Sequence, residues 1–154
     1  MKLCSGDMWL EKPEIFLVTG NNTVNMDGAL VMGRGAARFA SIAFPNCAYS
    51  FGSEILKLRR NVRNSHQLKY GVLVFPSKPI LGLFQVKYHY RDHARLEIIQ
   101  YSVQRLRNLI SINETWKKRI VMNFPGIGWG GLQREAVLPL LEPLPDNVEI
   151  WEAG

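Results

Sequence analysis

Two glycine-rich segments constrain this chain more than any other feature, because each leaves a short apolar run and each leads into a run of helical periodicity. They are Met32-Gly33-Arg34-Gly35-Ala36-Ala37 and Pro125-Gly126-Ile127-Gly128-Trp129-Gly130-Gly131. Without a Cβ the backbone can approach a ligand closely and turn through positive φ. Consecutive N–H groups then converge on phosphate oxygens at a helix N-terminus, where the dipole favours negative charge. Two such loops in one small chain predict a diphosphate held between them.

The flanking pattern predicts what carries the loops. Ile15 to Thr19 is a continuous apolar, β-branched run bounded by Pro13 and Gly20-Asn21-Asn22, which predicts a short buried strand. After the first glycine loop, Ala36, Phe39, Ala40, Ala43 and Phe44 recur at helical spacing until Pro45 stops the helix. Gly71 to Phe75 and Gly82 to Lys87 predict two strands separated by the turn residues Pro76-Ser77-Lys78-Pro79. Asp92 is the expected N-cap of the longest helix, whose stripe is Leu96, Ile99, Val103, Leu106 and Ile110. Arg119 to Phe124 predicts the strand before the second glycine loop, Arg134 to Leu141 a short helix made irregular by Pro139, and Val148 to Trp151 a closing strand. Lys57 to Lys69 is the least regular stretch and is basic. Strands alternating with helices predict an α/β sheet covered on both faces, with ligand loops at the strand carboxyl ends.

At 154 residues and 47% hydrophobic composition, one domain is expected, since the chain can build one core but hardly two. Nineteen basic residues against 13 acidic give a formal charge of +6, which favours anionic partners such as nucleotides or nucleic acid. Cys4 and Cys47 have no metal-ligand or Cys-x-x-Cys spacing, so neither a disulfide framework nor a metal site is expected, and no cofactor is implied. No run of 18 apolar residues occurs and Asp7 comes before any apolar stretch develops, so the expectation is a soluble, cytoplasmic protein without a membrane partner.

Neither glycine loop has the Gly-x-x-x-x-Gly-Lys-Ser/Thr arrangement of a P-loop. The dinucleotide fingerprint fits only in part: Gly33 and Gly35 have its spacing and Glu54 lies near the distance of a ribose-binding acid, but Arg38 replaces the third glycine. The joint pattern is more specific. Ser5-Gly6-Asp7, Gly20-Asn21-Asn22, Val31 to Ala37 before an Ala-rich helix ending Phe44-Pro45, and Phe124 to Leu132 before a final helix and strand together resemble the macrodomain family across nearly the whole chain. The Met-Gly-x-Gly-x-Ala loop and the lysine ending Phe84-Gln85-Val86-Lys87 resemble the branch of DNA ADP-ribosyl glycohydrolase antitoxins and terminal ADP-ribose glycohydrolases.

The resemblance implies a single domain over residues 1–154, a three-layer α/β/α sandwich with a mixed central sheet that binds ADP-ribose or an ADP-ribosylated substrate. It implies that Asp7 accepts from the adenine amino group, that Asn21 or Asn22 faces the distal ribose, and that Met32 opens a loop whose amides from Gly33 to Ala36 hold one phosphate. Gly126, Ile127, Gly128 and Gly130 would hold the other, with Trp129 over the distal ribose or the phosphates. Arg34 either faces solvent or reaches a phosphate. Each residue also has an ordinary alternative: Asp7 as a cap, Asn21 and Asn22 as turn residues, Trp129 as core. His66, His89 and His93 are isolated and carry no assigned role.

Lys87 decides whether such a chain is an enzyme. A deprotonated lysine beside an anomeric carbon can form a Schiff base with the opened ribose, and in the resembled branch the matching lysine is the nucleophile. Terminal glycohydrolases carry an aspartate in the second loop, whereas Gly128-Trp129-Gly130-Gly131 has no acid, so the antitoxin subgroup fits better. Asp27 and Glu135 are candidate substitutes. The expected activity is removal of ADP-ribose from DNA or protein. The alternatives are a non-catalytic reader and an ADP-ribose 1''-phosphate phosphatase, while Lys57 to Lys69 could track a nucleic-acid backbone.

Overall fold

The computed structural model describes residues 1–154 and contains six strands: β1 (Lys2–Ser5), β2 (Ile15–Gly20), β3 (Val72–Phe75), β4 (Ile80–Gln85), β5 (Ile120–Asn123) and β6 (Val148–Glu152). They form one mixed sheet in the order β1-β6-β5-β2-β4-β3, in which only the β3–β4 pair is antiparallel. The helices are α1 (Ala36–Ala43), α2 (Cys47–Arg59), α3 (Leu96–Ile112) and α4 (Arg134–Leu141).

The two-residue period of a strand decides which helices each face receives. On β2, Ile15 and Leu17 point to one side and pack with Ile99, Val103 and Leu106 of α3 and Val137 and Leu141 of α4. Phe16 and Val18 point the other way, into a cluster with Ala40 of α1 and Cys47, Phe51 and Ile55 of α2. The result is the expected α/β/α layering, with β2 buried on both faces. Full burial of each large apolar side chain in the α3 stripe contributes about 1.5–3 kcal/mol relative to exposure.

Two elements, β1 and α2, were unexpected, and two expectations need correction: the irregularity of the whole basic stretch and the cap of α3. β1 was not anticipated: its four residues are mostly exposed, and it exists by parallel pairing with β6 at the sheet edge. After Pro45, Asn46 at φ 72° turns the chain directly into α2, whose Cys47, Phe51 and Ile55 recur every four residues on the core side. Part of the supposedly irregular basic stretch is therefore the end of α2. Asp92 does not cap α3, which begins at Leu96 after Arg95. As expected, α4 runs from Arg134 to Leu141 with Pro139 inside it. No helix is long and apolar enough to cross a membrane.

Because β2 runs parallel to both of its neighbours, β4 and β5, the carboxyl ends of all three emerge on one edge. The topology thereby gathers Asn21-Asn22, Val86-Lys87 and the second glycine loop at a single end of the sheet.

Candidate functional site

At that edge lies a cleft of about 910 Å³, within the usual size range of a small-molecule site. Both glycine loops line it: Met32 to Ala36 on one side and Gly126 to Gly130 on the other. Gly33, Gly35, Gly126 and Gly128 all have positive φ. The first loop runs straight into α1, with Gly35 at its N-cap and no side-chain cap, so the first-turn amides are not capped by a side chain. At the floor, β2 and β5 are clamped: Asn123 Nδ2 donates to Thr19 Oγ1 at 3.1 Å and Thr19 N donates to Asn123 Oδ1 at 3.2 Å.

Trp129 and Arg34 bridge the mouth. The Arg34 guanidinium carbon sits 4.3 Å from the centre of the Trp129 ring, a cation–π contact linking the tips of the two loops. Trp129 is 72% exposed, so it does not serve the core.

Of the site residues expected from the sequence, Asn21, the two loops, Arg34, Trp129 and Lys87 all line this cleft. Asp7 and Asn22 do not. Asp7 caps the short 3₁₀ turn Met8–Leu10, its carboxylate accepting from Trp9 N at 3.0 Å. Asn22 lines a separate hollow, and its side chain is occupied: Nδ2 donates to Ser65 O at 2.9 Å and Oδ1 accepts from Arg59. Asn21 lines the cleft, but its amide already donates to Val31 O at 2.8 Å and accepts from Thr23 N at 2.7 Å. Its side chain thus pins the residue preceding the first glycine loop. Neither Asp27 nor Glu135 is in the cleft wall. Asp27 caps its own turn through Ala29 N and accepts from the Tyr49 hydroxyl.

Lys87 lies two residues beyond β4. Its Nζ donates to Tyr90 O at 2.9 Å and Asp92 O at 3.2 Å, and burial pushes the amine below the usual lysine range, opposed by the nearby Asp92 charge. Desolvation therefore favours the neutral, nucleophilic form. Asp92, mistaken in sequence for a helix cap, is the one carboxylate in the cleft wall.

Gln85 was also missed. It is fully buried, accepts from the amides of Tyr70 at 2.8 Å and Gly71 at 3.3 Å, and donates to Leu68 O at 2.9 Å and Lys87 O at 3.3 Å. A polar residue closing an otherwise apolar strand was the available signal. No group of three or more His, Cys, Asp or Glu side chains is arranged to hold a metal.

No protein-family model matches the chain, and no curated protein matches it. Solved structures do. The macrodomain of Thermus aquaticus DarG is similar at 24% identity and a TM-score of 0.68, covering 99% of this chain and 97% of that one. The macrodomain of Mycobacterium tuberculosis DarG is similar at 23% identity and a TM-score of 0.71, with the same coverage. Thermosipho africanus DarTG in complex with ADP-ribose is similar at 21% identity and a TM-score of 0.74, covering all of this chain but 42% of the larger one. With near-complete overlap of two separate DarG macrodomains, and with the glycine loops flanking one cleft, the chain has the macrodomain fold.

Proposed function

We propose that this protein binds ADP-ribose in the cleft between its glycine loops and hydrolyses the bond joining ADP-ribose to an acceptor, with Lys87 as nucleophile. One observation carries the reading: a desolvated lysine stands in the wall of a cleft whose two loops both present positive-φ glycines. The Thermosipho relative was solved with ADP-ribose, which supports that ligand for a cleft of this kind. The pyrophosphate would lie against the amides of the two loops and at the start of α1, with Arg34 and Trp129 over it.

In the reaction the anomeric carbon's bond to the ring oxygen breaks and that oxygen keeps the electron pair and takes up a proton, the neutral Lys87 amine attacks the anomeric carbon, and the acceptor leaves with its bonding electron pair and takes up a second proton. The amine sheds its protons as the imine forms. Water then adds to the imine, releasing ADP-ribose and restoring the amine. Asp92 supplies the carboxylate through which protons pass, the part that no residue of the second loop can play. Wild-type protein should release free ADP-ribose from an ADP-ribosylated oligonucleotide or protein, and Lys87→Ala should not; turnover unchanged in Lys87→Ala removes Lys87 from the mechanism.

A second reading has its own support. The Lys87 amine is held by two carbonyls, which stabilise an ammonium, and that arrangement suits a reader that binds without cleaving. Tight ADP-ribose binding with no product from either substrate would establish it.

A further inference from the structure

Behind the wall of the cleft is a second hollow of about 220 Å³, lined by Thr23, Arg59, His66, Tyr88 and His89 among others and by no acidic residue. The two hollows share a partition. Asn21 lines the cleft and Asn22 the second hollow, while in the segment that follows β4 Lys87 and Tyr90 line the cleft and Tyr88 and His89 the hollow. Hydrogen bonds fasten the partition: Asn22 N donates to Tyr88 O at 2.7 Å and Tyr90 N to Thr23 Oγ1 at 3.0 Å.

Arg59, at the end of α2, is the charge in this hollow. Its Nη2 donates to the backbone and side-chain oxygens of Asn22, its Nε is buried without a partner, and no carboxylate forms an ion pair with it. A partly desolvated guanidinium without a counter-charge is costly unless an anion completes it. Arg60, Arg63 and His66 continue from it along the surface.

We infer that the hollow formed by Arg59, His66 and His89 is a phosphate-binding subsite that holds a backbone phosphodiester of a single-stranded polynucleotide whose modified nucleotide occupies the cleft. A guanidinium plus imidazole donors, with no acid in the lining and the nearest, Asp92, held on the His89 amide at 3.2 Å, matches a phosphate oxygen cluster. The shared partition would set the phosphate one wall away from Lys87. The choice of a polynucleotide rests on the glycohydrolase reading, whereas the anion site rests on Arg59 and the two histidines.

The test uses a fluorescein-labelled oligothymidylate, its anisotropy read over a salt series, with the wild type, Arg59→Gln and the double variant His66→Ala/His89→Ala. Arg59→Gln keeps a donor for Asn22 and removes the charge. The histidines are exposed, so their loss leaves the fold intact should Arg59→Gln misfold. Loss of one phosphate contact should lower the salt slope by about 0.7 and weaken binding roughly fivefold near 0.1 M salt, with the histidine variant weakened in the same direction. Oligonucleotide binding identical in all three proteins overturns the inference. Inorganic phosphate alone forms a second arm: a thermal shift lost in both variants, without any change in oligonucleotide affinity, overturns the polynucleotide assignment. ADP-ribose calorimetry on the same proteins reads the cleft by itself. Its failure in wild type would sink the proposed function while leaving the Arg59 result to stand on the anisotropy.

Discussion

Gly126 and Gly128 stand two residues apart in the second loop, both with positive φ, yet alanine should harm them in different ways. At Gly126, φ is 81° and an added Cβ would fall 2.7 Å from Ile99 Cδ1 and 3.0 Å from Leu132 Cδ1. At Gly128, φ is 63° and nothing lies within 4 Å. Holding alanine in a left-handed conformation costs about 1–2 kcal/mol at either position. Only Gly126 adds the cost of overpacking against α3 and Leu132, about 1–3 kcal/mol. Gly126→Ala should therefore lose about 2–5 kcal/mol and Gly128→Ala about 1–2 kcal/mol. At roughly 2–4 °C per kcal/mol for a chain of this size, scanning calorimetry should place Gly126→Ala well below Gly128→Ala in Tm. The binding assay should rank them differently, because the methyl of Gly128→Ala projects into open space beside the cleft, where a phosphate would approach. Gly128→Ala should lose ADP-ribose affinity out of proportion to its stability. If the two variants melt together, the packing argument fails; if Gly128→Ala binds ADP-ribose like wild type, the second loop does not hold the phosphate.

Three further outcomes are expected. Because burial lowers the Lys87 pKa, turnover should climb with pH and level off below the ordinary lysine value of about 10.4, and Lys87→Arg should abolish it while ADP-ribose still binds; a pH-independent rate argues against an amine nucleophile. Gln85→Leu strands the amides of Tyr70 and Gly71, at about 1–3 kcal/mol per unsatisfied donor, so urea unfolding should show a loss of about 2–6 kcal/mol. Arg119 binds Glu149 Oε2 at 2.6 Å and Glu11 Oε1 at 2.6 Å, and the guanidinium holds the Glu149 carboxyl below its ordinary range. A carboxyl with a lowered folded pKa stabilises above its unfolded pKa and loses that contribution as pH falls through the folded value. Arg119→Met should thus cost about 1 kcal/mol at neutral pH, discounted for exposure, with the difference from wild type shrinking in acid; a gap constant with pH would contradict the pairing.

What could be read from the sequence was whatever depends on local pattern. Ile15–Gly20 and Ile120–Asn123 are buried from both sides, so their apolar runs are continuous, and α3 carries a stripe too regular to miss. The loops were legible because so many glycines in so few positions fit neither a helical nor a strand stripe. β1 was illegible because its pairing with β6 joins residues more than 140 positions apart, and its exposed side chains leave no alternation to detect. α2 hid behind Pro45: a proline ends one helix but says nothing about the next residue, and Asn46 in the left-handed region restarts the helix at once. Asp7 and Asn22 show the limit of reading roles from motifs. Asp7 lies outside the cleft lining and takes one local hydrogen bond from Trp9 N, while the Asn22 side chain is engaged by Ser65 and Arg59.

Gln85 fixes the end of β4 beyond which Lys87 stands. A leucine there would extend the apolar run of β4 and would be cheaper to desolvate than an amide. The amide instead ties the backbone from Leu68 to Gly71 and the carbonyl of Lys87 to one buried point, while the backbone carbonyl of Gln85 accepts from the buried Ser102 hydroxyl on α3 at 2.7 Å. The strand end is thereby fixed to the helix beneath it and to the segment beside it, so the residue two places on cannot drift. Lys87 leaves that anchor and meets the carbonyls of Tyr90 and Asp92, whose segment continues into α3 through Arg95 N bonding Val86 O at 2.9 Å. A nucleophile on a frayed strand end would remain solvated and protonated. Held from behind by Gln85 and covered in front by residues 90–92, the Lys87 amine is kept partly out of water, which is the condition that the proposed attack requires.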